Sequence, residues 1–128
     1  MNETYRDEAR VVHMNRAIQK IQKHLPKVNA GNFVEGNDTV ELILYQLVLL
    51  GEAANNVSAL YCSTHPAVDF RDMAGLRHKL VHDYANIDLS RIWAILQIDF
   101  PGWKESIEKL AATIKPISTF PPNIADFD

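Results

Sequence analysis

The sequence lacks most of the features that fix a fold covalently. It has one cysteine, Cys62, in 128 residues, so no internal disulfide can form. A lone thiol also fits a reducing compartment, and a cytoplasmic location is expected. Glycine is scarce at 5 residues, and alternating β-branched runs are few, which argues against a sheet. The most apolar stretch, Val40 to Ala54, is interrupted by Glu41, Gln46 and Glu52, too short and too polar to span a bilayer. Met1 to Glu8 mixes both charges with no apolar run, so no signal peptide is expected. Excess charge of one sign is missing too: 13 Lys+Arg against 16 Asp+Glu leave −3. That balance excludes the strongly basic surface of a tight nucleic-acid binder or a membrane-surface protein. There is no glycine-rich phosphate loop and no His-Glu-x-x-His zinc motif.

What is present is ordinary globular composition, 47% hydrophobic and 23% charged, with enough length for one domain and its own core. Helical periodicity dominates. Between Tyr5 and Leu25, Val11, Met14, Ile18, Ile21 and Leu25 recur at steps of three and four, and Pro26 closes the helix. Asn29 to Asp38 reads as a connection, with Asn37 or Asp38 capping the next helix. That second helix is expected from Val40 to about Tyr61. Its first half is apolar on nearly every side, so it lies either at the centre of its own bundle or under another chain. Ser63 to Phe70 reads as a loop, and a third, short helix runs from about Asp69 to Tyr84. A fourth starts at Asp88 and carries the stripe Leu89, Ile92, Trp93, Leu96, Phe100, Trp103, Ile107, Leu110 and Ile114, broken or kinked at Pro101. The expected fold is all-α, an antiparallel helical bundle of four main helices over residues 1–115, followed by a Pro-containing tail at 116–128.

Most candidate chemistry dissolves on inspection. Cys62 and His65 have no second ligand pair for zinc, and Glu105 and Glu108 read as a solvated face. His13 and His24 on the first helix read as surface residues. The third helix differs. At about 100° per residue, with Arg77 at zero, Met73, Leu76, Leu80, Val81 and Tyr84 fall between about −100° and +40°. Arg77 thus sits inside an apolar arc, where a guanidinium needs a carboxylate, a phosphate or a second chain. Two readings stand: a buried ion pair, with Glu52 the best partner, or an anion site whose planar fork suits phosphate oxygens. They are compatible, with Glu52 holding the arginine in place. His78 and His82 share a face one turn apart, but no third metal ligand accompanies them, and a metal site is not expected. His82 lies about 140° from Arg77 on an ideal helix, so either the helix ends or distorts there, or two copies pool their residues. A histidine near an arginine suits proton transfer at a phosphodiester.

These residues resemble a known family. Arg77-x4-His82-x-Tyr84 is similar to the R-x4-H-x-Y motif of HEPN-domain ribonuclease toxins of the HepT-like family. Leu50-Gly51-Glu52-Ala53-Ala54, His65-Pro66 followed by Phe70-Arg71, Ala74-Gly75-Leu76-Arg77, and Val81-His82-Asp83-Tyr84 through Asp88-x4-Trp93 resemble further family segments in the same order. The resemblance covers about residues 5 to 110. It implies a HEPN-like bundle that forms a homodimer and brings both motif helices to one cleft. It implies metal-independent RNA cleavage without a cofactor, in which the ribose 2′-hydroxyl attacks the adjacent phosphate. Arg77 and His82 would be catalytic, with His78 and Glu52 supporting them. It also implies a partner, a minimal nucleotidyltransferase antitoxin of a type VII-like toxin–antitoxin pair, which AMPylates the motif tyrosine, here Tyr84. Two positions depart from the pattern: His78 stands where the family commonly has Asn, and Phe70 where it has Trp. The alternative is a non-catalytic HEPN module that binds a nucleotidyltransferase or a nucleotide, and a plainer one is a helical interaction protein with a buried Arg77 ion pair.

Overall fold

A computed structural model describes residues 3–114, and these form six α-helices with no strand among them. In order they are α1 (Glu3–His24), α2 (Asp38–Asn55), α3 (Ala59–Thr64), α4 (Phe70–His82), α5 (Leu89–Ile98) and α6 (Phe100–Ala111). The all-α expectation holds. The Pro-containing tail assigned to 116–128 lies outside the described residues.

In α1, Val11, Met14, Ile18 and Ile21 are all fully buried, as their spacing predicts. Pro26 does end the α-helix, through one 3-10 turn, Leu25–Lys27, where its ring occupies an opening position that needs no amide donor. Asn37 is the cap of α2. Its side-chain oxygen accepts from the N–H groups of Thr39 at 2.9 Å and Val40 at 3.2 Å.

The second helix is shorter than its pattern. It stops at Asn55, and the chain re-enters a helix, α3, only at Ala59. The cause is tertiary. Asp7 of α1, 3% exposed, accepts from the Ser58 N–H at 2.8 Å and from the Ser58 hydroxyl at 2.7 Å. The same Ser58 oxygen accepts from the Tyr61 N–H at 3.1 Å and so caps α3. A contact across 51 positions therefore sets a helix boundary that local periodicity carries straight through. It also fixes direction: the start of α1 meets the end of α2, so these two helices run antiparallel.

α2 packs on α1 and α4, α6 packs on α1, and α5 on α6. The all-round apolarity of α2 is thus mostly that of a central helix, with Val40, Ile43, Leu47 and Leu50 at 1% exposure or less. Leu42 and Leu49 are only partly covered, and Tyr45 beside them is 49% exposed. The fourth expected helix is two helices. Asp88 caps α5 by accepting from the Ser90 and Arg91 N–H groups at 3.1 and 3.3 Å. Pro101 sits in the first turn of α6, where it breaks the pattern and starts the next helix. Ile92, Leu96, Phe100, Trp103 and Ile107 keep one buried stripe across that break.

Candidate active site

The site begins where α2 crosses α4, and a glycine permits the crossing. Gly51 is buried, and a Cβ added there would overlap the Cβ of Arg77 and lie 2.6 Å from the Met73 carbonyl oxygen. Only a residue without a Cβ lets the two backbones approach this closely. The next residue, Glu52, then reaches Arg77: Glu52 Oε2 lies 2.8 Å from Arg77 Nε. Nε is buried, but its N–H is not aimed along a hydrogen bond, so the contact is a close ion pair and not an aligned bond. The arginine side chain is 29% exposed and the glutamate 48%. A pair this open contributes at most about 1 kcal/mol to stability, and its greater effect is to orient the guanidinium.

α4 buries Phe70, Met73, Leu76 and Leu80, and Asp69 caps it by accepting from the Asp72 N–H at 3.1 Å. It ends at His82, two residues short of its expected end at Tyr84. Tyr84 therefore leaves the helical arc for a 3-10 turn, Tyr84–Asn86, and is 70% exposed, while Val81 is 43% exposed. Neither belongs to the core, which corrects the arc read from ideal geometry. His78 and His82 are both exposed, with ring centroids 4.3 Å apart and planes tilted at 48°. The structure thus pairs Glu52 with Arg77 and His78 with His82. Among the described residues, no hydrogen bond or ion pair joins one pair to the other.

Other candidates resolve into structural roles. Burial, with the Asp7 charge adding to it, pushes the Cys62 thiol up, away from nucleophilic use. The His65 ring stacks on Tyr61 with centroids 4.0 Å apart, and its Nδ1 lies 2.9 Å from the Tyr61 carbonyl oxygen. Glu105 pairs with Lys109 at 3.0 Å. Glu108 pairs with Lys104 at 3.2 Å, and the hydrogen bond from Gln19, more than that lysine, holds its carboxyl below the usual range. Both glutamates belong to a helix surface, each paired with a lysine one turn away. Among the described residues, no group of three or more His, Cys, Asp or Glu side chains is placed to hold a metal ion.

Arg71, Lys79 and Arg91 line a separate cavity of about 380 Å³ along α4 and α5, interleaved with Asp72, Asp83 and Asp88. Arg77 and His82 do not line it. Sequence reasoning missed two features. The steric role of Gly51 had a signal in its place beside Glu52 on an otherwise bulky helix. His13, read as a surface residue, is half-buried beside Arg10 and Arg16, and the three-residue spacing of these cations was the signal.

Comparison with known proteins now bears on this geometry. Residues 14–110 match the family described as Ribonuclease HepT-like. The chain belongs to the HepT-like ribonuclease family. "Probable ribonuclease HepT" of Thermococcus cleftensis is 30% identical over 94 residues, 73% of this chain and 86% of the relative. A Methanocaldococcus jannaschii protein named as a candidate RNase is 29% identical over 69 residues, 54% of this chain and 57% of the relative. Another, from Caldanaerobacter subterraneus, is 20% identical over 98 residues, 77% of this chain and 88% of the relative. No solved structure gives a significant match. For this HepT-like chain, the family match covers α2 through α5 whole and so includes Glu52, Arg77, His82 and Tyr84. No helix among the described residues is long and apolar enough to cross a membrane.

Proposed function

We propose that this chain is the ribonuclease toxin of a type VII-like toxin–antitoxin pair, acting in the cytoplasm as a metal-independent homodimer. The observation that carries the reading is the Glu52–Arg77 pair at the α2–α4 crossing, with exposed His82 farther along the same helix, in a HepT-like chain. The ribose 2′-oxygen attacks the adjacent phosphorus while a base takes its proton. The bond from phosphorus to the 5′-oxygen then breaks, and that oxygen takes up a proton. The products are a 2′,3′-cyclic phosphate and a 5′-hydroxyl. Imidazole titrates near neutral pH and so suits either proton transfer, which is the role of His82. The fork of Arg77 faces the charge that builds on the phosphoryl oxygens, and Glu52 keeps that fork oriented.

Arg77 turns toward α2 while His82 stands in solvent, so a second copy supplies what one helix cannot focus on one phosphorus. Leu42, Tyr45 and Leu49, partly exposed on the helix that carries Glu52, offer that copy an apolar face. Purified chain free of AMP is expected to cut single-stranded RNA in excess EDTA and to leave cyclic-phosphate and 5′-hydroxyl ends. An absence of cleavage, or cleavage abolished by EDTA, would overturn this reading.

The partner is a minimal nucleotidyltransferase antitoxin. It transfers AMP from ATP to the Tyr84 hydroxyl, forming a phosphodiester and releasing pyrophosphate. Support comes from the exposure of Tyr84, 70%, in a turn immediately beyond α4. The added phosphate brings bulk and negative charge close to the site. Co-expression with such an enzyme is expected to place AMP on the Tyr84 peptide by mass spectrometry, and Tyr84→Phe to abolish it. AMP on another residue would refute the assignment.

A further inference from the structure

One imidazole on α4 has no part in the chemistry above. His78 stands one turn before His82 on the same helix, and residues four apart share a helix face. Both rings are exposed, with centroids 4.3 Å apart and planes tilted at 48°. Among the described residues neither ring forms a hydrogen bond or an ion pair, so their nitrogens are available to a ligand. The space beside them is open too. The preceding turn offers only Ala74 and Gly75, and a Cβ built at Gly75 meets nothing within 4 Å. The same four-residue spacing sets both histidines of a His-Glu-x-x-His helix on one zinc ion. Two nitrogens that each bind an ion at about 2.1 Å lie at most about 4.2 Å apart. Rings at the observed separation reach that by rotation about their side-chain bonds.

We propose that His78 and His82 form a chelating pair for a divalent transition-metal ion such as Zn²⁺, and that the bound ion silences the site. Imidazole nitrogens select such ions over Mg²⁺ and Ca²⁺, which take oxygen ligands. Among the described residues no third His, Cys, Asp or Glu joins the pair, so water fills the remaining positions. Structural and catalytic zinc sites take three or four protein ligands; a two-histidine chelate holds its ion more loosely and exchanges it. The effect on activity rests on the ribonuclease reading. The nitrogen that binds the ion has given up its lone pair, and the other nitrogen carries the proton. His82 then cannot accept a proton from the ribose 2′-hydroxyl. The cleavage chemistry needs no metal, and this metal stops it.

Calorimetric titration of ZnCl₂ into the full chain, stripped with EDTA and desalted, tests this, with imidazole-nitrogen NMR to show which rings bind. One ion per chain is expected, shifting the ring signals of His78 and His82, whereas MgCl₂ should shift neither. His78→Asn and His82→Ala should each weaken zinc binding at least about tenfold, since losing even a group that only supports a ligand costs about 10–100-fold. His24→Asn, at the end of α1, should change nothing. Circular dichroism checks that each variant folds. Cleavage is read on the same proteins. Zn²⁺ should lower the wild-type rate at least about tenfold, and EDTA should restore it. For His78→Asn, scored against its own rate in EDTA, the inhibitory zinc concentration should rise at least about tenfold. Zinc seated on other side chains, or held equally well by folded His78→Asn, overturns the chelating pair. Equal inhibition of wild type and His78→Asn overturns the silencing. A chain that binds zinc through both rings and cuts no RNA in EDTA sinks the ribonuclease reading alone.

Discussion

Replacing His82 by alanine is expected to lower RNA cleavage by about 10²–10⁴-fold, the usual contribution of a positioned proton-transfer group. Arg77→Ala should cost about 10²–10³-fold, as when a donor to a developing oxyanion is removed. Neither loss should come from unfolding. His82 is an exposed terminal residue of α4, and the Glu52–Arg77 pair is too open to contribute more than about 1 kcal/mol. Far-UV circular dichroism and thermal melts of both variants check this directly. Arg77→Lys keeps the charge but loses the planar fork, so intermediate activity is expected. The same two inactive variants test the shared cleft. If Arg77 of one copy works with His82 of the other, mixing unfolded and co-refolded Arg77→Ala and His82→Ala chains restores part of the activity. A mixture as inactive as its components removes the pooled site, and folded variants as active as wild type remove both residues from the mechanism.

Gly51→Ala should have the largest effect on architecture. The methyl group would overlap the Cβ of Arg77 and press on the Met73 carbonyl at 2.6 Å, and α2 and α4 would have to separate. Overpacking of this kind costs about 1–3 kcal/mol, against a helix-propensity gain of about 1 kcal/mol for replacing glycine. Because both clashing atoms are near or on backbone, relaxation is poor and the upper part of that range applies. Net destabilisation of about 1–2 kcal/mol should lower Tm by several degrees. Cleavage should fall further than stability does, because moving the helices apart withdraws Glu52 from Arg77. Gly75→Ala is the internal contrast. A Cβ at Gly75, on α4, meets nothing within 4 Å, so that substitution should stabilise by about 0.5–1 kcal/mol. Equal melting temperatures for Gly51→Ala and wild type would show that the crossing tolerates a methyl group. Calorimetry on the three proteins decides it.

Much of the fold was legible because its boundaries are set locally. Pro26, Asn37, Asp69, Asp88 and Pro101 act through their own backbones or the next turn, and each was readable where it stands. The break after Asn55 was not, because the group that makes it, Asp7, lies 51 positions away from Ser58. The arc on α4 was read too broadly for a related reason. Ideal periodicity assumes that the helix continues, and its end at His82 sends Tyr84 into solvent. The ion-pair partner of Arg77 could be anticipated, since Glu52 is one of few charges on an apolar helix. That Arg10 and Lys20 of α1 line a common groove with Glu52 of α2 could not, because a groove needs a second helix to supply its other wall.

Residue identity and short-range spacing were enough for the all-α class, the caps, the candidate residues Glu52, Arg77, His78, His82 and Tyr84, and the family resemblance. Tertiary packing was needed to establish that Gly51 lets α2 and α4 touch, that Glu52 meets Arg77, and that Tyr84 is exposed. It also brought the cations of α1 to the same glutamate. Tyr84 is exposed because α4 ends before it; the others depend on how closely helices distant in sequence approach, and steric fit between backbones is not written in any one helix.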